Sequence, residues 1–548
     1  MRLILFVFLY ISLHTAEAQT WVKQWDKQYG GNRGVNFHTF MQTADKGYLL
    51  GCVVFSDTTS DISEPSRDTT FQPRGDWWFI KVDEDGNKQW DKRLGGGERE
   101  YLYTAIQSND GGYMLGGYSE SRAGGDKTND NWLSDYWLVK LDAQGNKLWD
   151  RTYGGSSGEE LTSIVQINDS YLLAGTASSG ISGDKTDTSR GERDYWVIKI
   201  DAAGNKIWDK TYGSAKSDYL NVALMAKDGG FILAGNTIGG ISGDKTQANW
   251  DSAGSTTDMW VVKTDSLGNK QWDKRYGGIN TDAVVAAVQA NDSGYLLVGI
   301  SSSPISGDKS QNPWGANPNN YQLDYWVLKI DMMGARQWDK RYGSVYPDYA
   351  RSIISAKEGG YILSGVSSSP LASGDKSENN IGHSQSWIIK TNDVGEVLWD
   401  KTIFTAGGTS ISPDGRIAET EDGCYIVANC NNADTGGYKS QARWGVPTPY
   451  TNLWLVKLCM NTETGSPYLG QSDHWQLYPN PTTGKLTIQT PAASYSFQIL
   501  ATDGRVLMQN PVKQQTNLDI DVSTLPAGLY FLQLWDGTQQ VAKKFMKQ

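Results

Sequence analysis

The chain has 548 residues, with 61 acidic against 50 basic side chains and a formal net charge of -11. That balance argues against a nucleic-acid binder, which needs concentrated positive charge, and a composition 38% apolar and 20% charged excludes a disordered chain. With 61 Gly, 22 Trp and 28 Tyr but only four His and four Cys, the sequence points to an all-β protein of aromatic strands and glycine turns, and away from a metalloenzyme.

The first residues, MRLILFVFLYISLHTAEAQT, combine Arg2, an apolar run from Leu3 to Leu13 and the small-x-small pattern Ala16-Glu17-Ala18. They predict a signal peptide over residues 1–18, cleaved between Ala18 and Gln19. The run is too short to cross a bilayer core of ~30 Å, and no later stretch approaches ~20 apolar residues, so no membrane span is expected in the mature chain. No Cys follows the cleavage site to carry a lipid. Export permits disulfides, and Cys52, Cys424, Cys430 and Cys459 all lie in the mature part, with no CxxC motif among them.

Residues 21–460 are self-similar. One tryptophan series runs Trp25, Trp90, Trp149, Trp208, Trp272, Trp338, Trp399, and another Trp78, Trp137, Trp196, Trp260, Trp326, Trp387, Trp454, both at spacings of 59 to 67 residues. Such a period means a repeat fold. Each unit reads as four strands: an apolar strand A, a strand B such as GYMLGGYS, a strand C such as DYWLVKLD, then a Gly-Asn turn and a strand D such as NKLWDRTYG. The repeats open on a strand D, TWVKQWDKQYGG, and close on a strand C, NLWLVKLC. The N-terminal strand can therefore complete the last unit and remove both sheet edges. The expected fold over 19–460 is a seven-bladed β-propeller closed by the N-terminal strand, with the fourteen repeat tryptophans packed between blades. Cys424 begins strand B of the last unit and Cys459 ends its strand C, so antiparallel pairing brings them into bridging range. Cys52 and Cys430 fall at similar places in the first and last units, leaving a second bridge open.

The A-to-B and C-to-D turns are short; the variable length lies in the B-to-C loops, which share a face with the D-to-A loops, and function is expected there. Within them GGDKT at 124–128, SGDKT at 182–186 and 242–246, and SGDKS at 306–310 and 373–377 recur, with GGYKS at 436–440. Asp and Ser fold back on local backbone, so these read as structural turns. An Asp ring is also a place for calcium, although the neighbouring Lys opposes a cation and no DxDxDG spacing occurs; no cofactor is expected. Four of these loops carry an extra tryptophan: Trp132, Trp250, Trp314 and Trp444. These either cap their own loops or offer aromatic faces to extracellular glycans. Catalysis has little support, because His38, His383 and His474 are isolated and no HExxH, GxSxG or P-loop pattern occurs. KLDAQGNKLWD resembles the tryptophan-docking repeat of pyrroloquinoline quinone dehydrogenases. That family is typically eight-bladed with a vicinal disulfide, which this sequence lacks, so no quinone site is carried over.

After a polar linker at 461–475, residues 476–548 have their own pattern. Tyr478-Pro479-Asn480-Pro481, Gly484, Asp503-Gly504, Gly528, Tyr530 and Lys543-Lys544 resemble the type A C-terminal sorting domain of type IX secretion substrates. The resemblance implies a small β-sandwich, handling by the type IX machinery, and delivery to the outer-membrane surface or the extracellular space. In that family the domain is often removed by a sortase-like peptidase. The expected protein is a monomeric, exported binding module for a glycan or surface protein. A polysaccharide hydrolase or lyase and a structural surface-layer component are the alternatives.

Overall fold

The computed structural model describes residues 20–68, 74–131, 133–315, 322–380, 384–405, 411–444, 451–461, 476–489, 495–501, 506–513, 517–535 and 540–548. Among these the secondary structure is all β, with no helix. One unit comprises Trp21–Met460, and a second contains Asn461–Gln548. Each is described by itself.

In the first unit the repeat folds into four-stranded sheets, seven of them among the described residues. The fourth is representative: Asp218–Met225, Phe231–Thr237, Asp258–Thr264 and Lys270–Tyr276 pair antiparallel in chain order. Strands B and C are buried nearly throughout, whereas strands A and D alternate buried with half-exposed positions. That is why B and C read as continuous apolar runs. Gly235 of strand B lies opposite Trp260, and a Cβ there would sit 1.9 Å from the Tyr219 carbonyl oxygen. Only glycine fits so close an approach.

The last sheet draws on both ends of the repeat region, in the order Thr20–Tyr29, Asn452–Asn461, Cys424–Asn431, Ile411–Glu419. Strands A of consecutive sheets touch one another along the series, and Val35–Gln42 of the first also touches Ile411–Glu419 of the last.

The two tryptophan series do different work. Strand C tryptophans are fully buried, and each indole N–H reaches the Asp that follows the strand D tryptophan: Trp78 to Asp91 at 2.9 Å, Trp260 to Asp273 at 3.1 Å, and Trp454 to Asp26 at 3.1 Å. The same carboxylates accept the backbone N–H after the loop lysine, Thr246 to Asp273 at 2.9 Å and Ser440 to Asp26 at 2.8 Å. Asp26 thus occupies in the last sheet the place that a downstream strand D fills in the others. Strand D tryptophans lie under the turn glycine of the next sheet. A Cβ on Gly268, where φ is +78°, would come within 3.0 Å of Trp208, and the Tyr212 hydroxyl donates to the Gly268 carbonyl.

Cys424 and Cys459 are joined by a disulfide across strands B and C of the last sheet, with Cα atoms 4.2 Å apart. Cys52 and Cys430 are both buried thiols. In the second unit Gln476–Tyr478, Lys485–Gln489 and Asn517–Asp521 form one sheet, and Val506–Lys513, Tyr495–Ala501, Gly528–Trp535 and Gln540–Lys547 another. Leu486, Ile488, Phe497, Ile499, Leu532 and Phe545 pack together as their core.

Candidate functional sites on the loop face and the C-terminal strand

At the end where strands A and C begin, carboxylates are buried in two series. Asp76, Asp135, Asp194, Asp258 and Asp324 head strands C, and Glu100, Glu159, Asp218, Asp282 and Asp348 head strands A. Gln385 and Asn452 replace the strand C carboxylate in the last two sheets. Burial dominates their titration and pushes Glu100, Asp258 and Asp324 up to about 7, and Asp218 and Asp348 up to about 6. A group whose folded pKa lies above its unfolded value of ~4 stabilises the fold below that value, and the contribution disappears as pH rises through the folded pKa. Asp209, whose burial is outweighed by the hydrogen bonds of Thr186, Lys206 and Trp196 together so that it is held at about 2, acts oppositely and loses its contribution only as pH falls below ~4. The repeat unit is therefore expected to be more stable at pH 5 than at pH 8. Urea midpoints across that range check this, and a flat or rising profile contradicts it.

The recurring loop motif folds back locally, as Ser242 and Lys245 form an isolated bridge, and it also ties neighbouring sheets together. Asp244 accepts from Gly213 N–H at 3.3 Å while its own N–H donates to the Gly213 carbonyl at 2.8 Å, and Asp308 and Asp375 repeat this with Gly277 and Gly343. The motif lysines are buried and turn inward to their own loops: Lys185 donates to the Asp187 carbonyl at 2.6 Å, and Lys245 to Asn249 Oδ1 at 2.9 Å. Burial lowers Lys245 to about 8. Among the described residues, no group of three or more His, Cys, Asp or Glu side chains is placed to hold a metal ion.

The loop tryptophans sit on the same seams. Trp250 donates its backbone N–H to Asp258 at 2.8 Å and its indole N–H to Asp308 of the next sheet at 3.0 Å, with the Arg275 guanidinium 4.4 Å over its ring. Trp314 repeats this with Asp324 at 2.7 Å, Asp375 at 2.9 Å and Arg341 at 4.4 Å. Trp444 donates its backbone N–H to Asn452 at 2.9 Å. These three residues remain 42%, 37% and 45% exposed. Trp132 lies outside the described residues. Sequence reasoning missed that Arg67 and Arg190 take the same seat: each gives its N–H to the strand C head, Asp76 or Asp194, and its Nε to the next motif aspartate, Asp126 or Asp244. The signal was their fixed place five residues after the motif lysine position, Lys185 for Arg190 and Ile62 for Arg67, the spacing that also separates Lys245 from Trp250. Ile181, Ile241, Ile305 and Leu371 stand 60–69% exposed beside the motif in consecutive sheets.

On the C-terminal unit, the peptide bonds preceding Pro479 and Pro481 are cis. Asn480 between them pairs with the last strand, donating Nδ2–H to the Lys544 carbonyl at 3.0 Å and accepting Met546 N–H at 2.9 Å. Thr482 extends this pairing to Met546 and Gln548. The Gly484 carbonyl accepts Val522 N–H at 2.8 Å, and the Tyr530 hydroxyl donates to the Pro526 carbonyl at 2.8 Å. Gly528 opens the strand that pairs with Lys543 and Lys544, and Tyr478 is exposed. Asp503, Gly504, Ala18 and Gln19 lie outside the described residues.

Asn480 thus clasps the strand Gln540–Lys547 of this small β unit. Residues 476–548 match the family of secretion system C-terminal sorting domains; this segment is the sorting domain of a type IX secretion substrate, and it directs export through the periplasm to the cell surface or the extracellular space. The chain is also similar to the regulatory protein FlaEY of Caulobacter vibrioides, 27% identical over 178 residues, which cover 32% of this chain and 19% of that protein. Similar solved structures include a protein of unknown function from Dyadobacter fermentans, with 10% identity, 80% of this chain and 99% of that one covered and a TM-score of 0.38. Another is Kuenenia stuttgartiensis hydrazine synthase, with 9% identity, coverage of 73% and 94% and a TM-score of 0.39.

Proposed function

We propose that Trp21–Met460 is a seven-bladed propeller closed by the N-terminal strand, exported behind a signal peptide cleaved after Ala18, and acting as a non-enzymatic module that binds extracellular glycans through its loop face. The pairing of Thr20–Tyr29 with Asn452–Asn461, and the contact between the first and last strands A, support the closed ring. The observation that carries the binding reading is the set of half-exposed tryptophans Trp250, Trp314 and Trp444, the first two pinned at the indole N–H by a carboxylate of the next sheet. A pinned ring loses little entropy when a sugar stacks on its open face. The exposed Ile181, Ile241 and Ile305 favour a second reading, a protein partner at the cell surface.

A glycan array probed with the secreted full-length chain and with a Trp132→Ala, Trp250→Ala, Trp314→Ala, Trp444→Ala variant tests this. Binding by the wild type and its loss in a variant that stays folded is the expected result. An empty array for both sinks the glycan reading in favour of the protein partner, and cleavage of a bound sugar would make the chain a hydrolase or lyase.

A further inference from the structure

Strand A alternates between two kinds of position. Leu102, Leu161, Leu220 and Val284 are aliphatic and fully buried. The residues one step earlier are Tyr101, Glu160, Tyr219 and Ala283, half-buried and of three different types. Core packing fixes the first series and leaves the second free to differ, so a unique site has room there.

In the second to fourth sheets these positions gather an aromatic and charged group. Tyr101 and Tyr118 are directly paired across strands, with rings stacked 4.6 Å apart. Tyr103 lies 6.0 Å from Tyr118 and edge-on to His38 at 6.2 Å. Arg193, just before strand C of the third sheet, donates to Glu160 at 3.1 Å and lies 5.5 Å over the Tyr219 ring. Core tyrosines of this protein behave differently. Tyr136 and Tyr195 are wholly buried, and their hydroxyls donate to the Trp196 and Trp260 carbonyls at 3.0 Å. The hydroxyls of Tyr101, Tyr103, Tyr118 and Tyr219 donate to no other described residue. Arg193 also retains N–H groups beyond the one given to Glu160.

We propose that Tyr101, Tyr103, Tyr118, Glu160, Arg193 and Tyr219 form a saccharide subsite across the second to fourth sheets, separate from the loop tryptophans and selective for neutral sugars. The assignment rests on the glycan-binding reading and locates a second contact for it. Ring faces receive the C–H surface of a pyranose, while open hydroxyls and the Arg193–Glu160 pair supply donors and acceptors for its hydroxyl groups. Because that pair is already neutralised, it gives a carboxylated sugar no advantage.

Isothermal titration of the full-length chain with cellohexaose, mannohexaose and an oligoglucuronate of equal length tests the subsite. Arg193→Ala and Tyr219→Ala should each weaken the best neutral hexasaccharide about tenfold or more, Arg193→Lys should recover part of the loss, and thermal midpoints should stay near wild type. Glu160→Gln, an isosteric change at the same half-buried pair, should likewise weaken the neutral hexasaccharide and provides a variant that keeps the fold if the others do not. Wild-type affinity in all these variants, alongside loss in the Trp250→Ala, Trp314→Ala double variant, overturns the subsite and leaves the glycan reading standing. No binding of any probe by the wild type overturns both, and preference for the glucuronate overturns the neutral assignment.

Discussion

Trp260→Ala is expected to lower the stability of the repeat unit by about 3–5 kcal/mol, the range for emptying a fully packed large aromatic site. The side chain is wholly buried between sheets and packs with Tyr195, ring centroids 4.9 Å apart. Its loss also removes an indole donor from Asp273, a carboxylate that simultaneously fixes the loop through Thr246 N–H. The cost is therefore a cavity together with a poorly satisfied buried acceptor. Trp208→Ala should cost clearly less, because that ring is only half-buried, beneath the Gly268 turn. Urea unfolding followed by tryptophan fluorescence compares the two. Equal losses would show that the two series are interchangeable and that the Asp273 wiring contributes nothing.

Deleting Thr20–Tyr29 should abolish cooperative folding of the remaining repeats. The strand supplies Asp26, which accepts from Trp454, from Ser440 N–H and from the Ser440 hydroxyl at 2.6 Å. It also supplies Trp21, which packs against Trp399 at 4.8 Å and Tyr425 at 5.6 Å. Gln28 reaches the Ala442 carbonyl at 2.8 Å. Without the strand, Asn452–Asn461 would present a bare sheet edge, which invites pairing with other chains. Size-exclusion chromatography and the thermal melt of the truncated chain check this. A soluble monomer with a wild-type melt would mean that the N-terminal strand is dispensable and the ring reading wrong. Adding the strand back as a separate peptide should restore the melt, since the missing piece is a strand and its side chains alone.

Much of this was legible because the repeat is written in chemistry that strands require. Asp258-Met259-Trp260-Val261-Val262 reads as a buried strand, and Gly268-Asn269 as the turn after it, without knowledge of any neighbour. The phase of the first and last segments placed Trp25 and Trp454 in one sheet, and the structure pairs their strands. The loop motif was read as a local turn, which it is, but its Asp also holds the preceding sheet. That partner is some thirty residues away, at Gly213 for Asp244, and nothing in the motif points to it. The seat shared by Trp250 and Arg190 was illegible for a related reason: a stacked indole and a guanidinium present N–H groups to the same carboxylate, yet share no pattern as letters.

The sequence by itself determined the strand content, the period, the two tryptophan series and the export domain, because each depends on spacing within tens of residues along one chain. Tertiary structure decided which carboxylates are buried in company, which aromatics keep an open face and which loops clasp their neighbours. Those properties arise where residues such as Glu160, Arg193 and Tyr219, far apart in the chain and unlike in type, come together from neighbouring sheets. No local propensity encodes that meeting; the packing of one sheet against the next does.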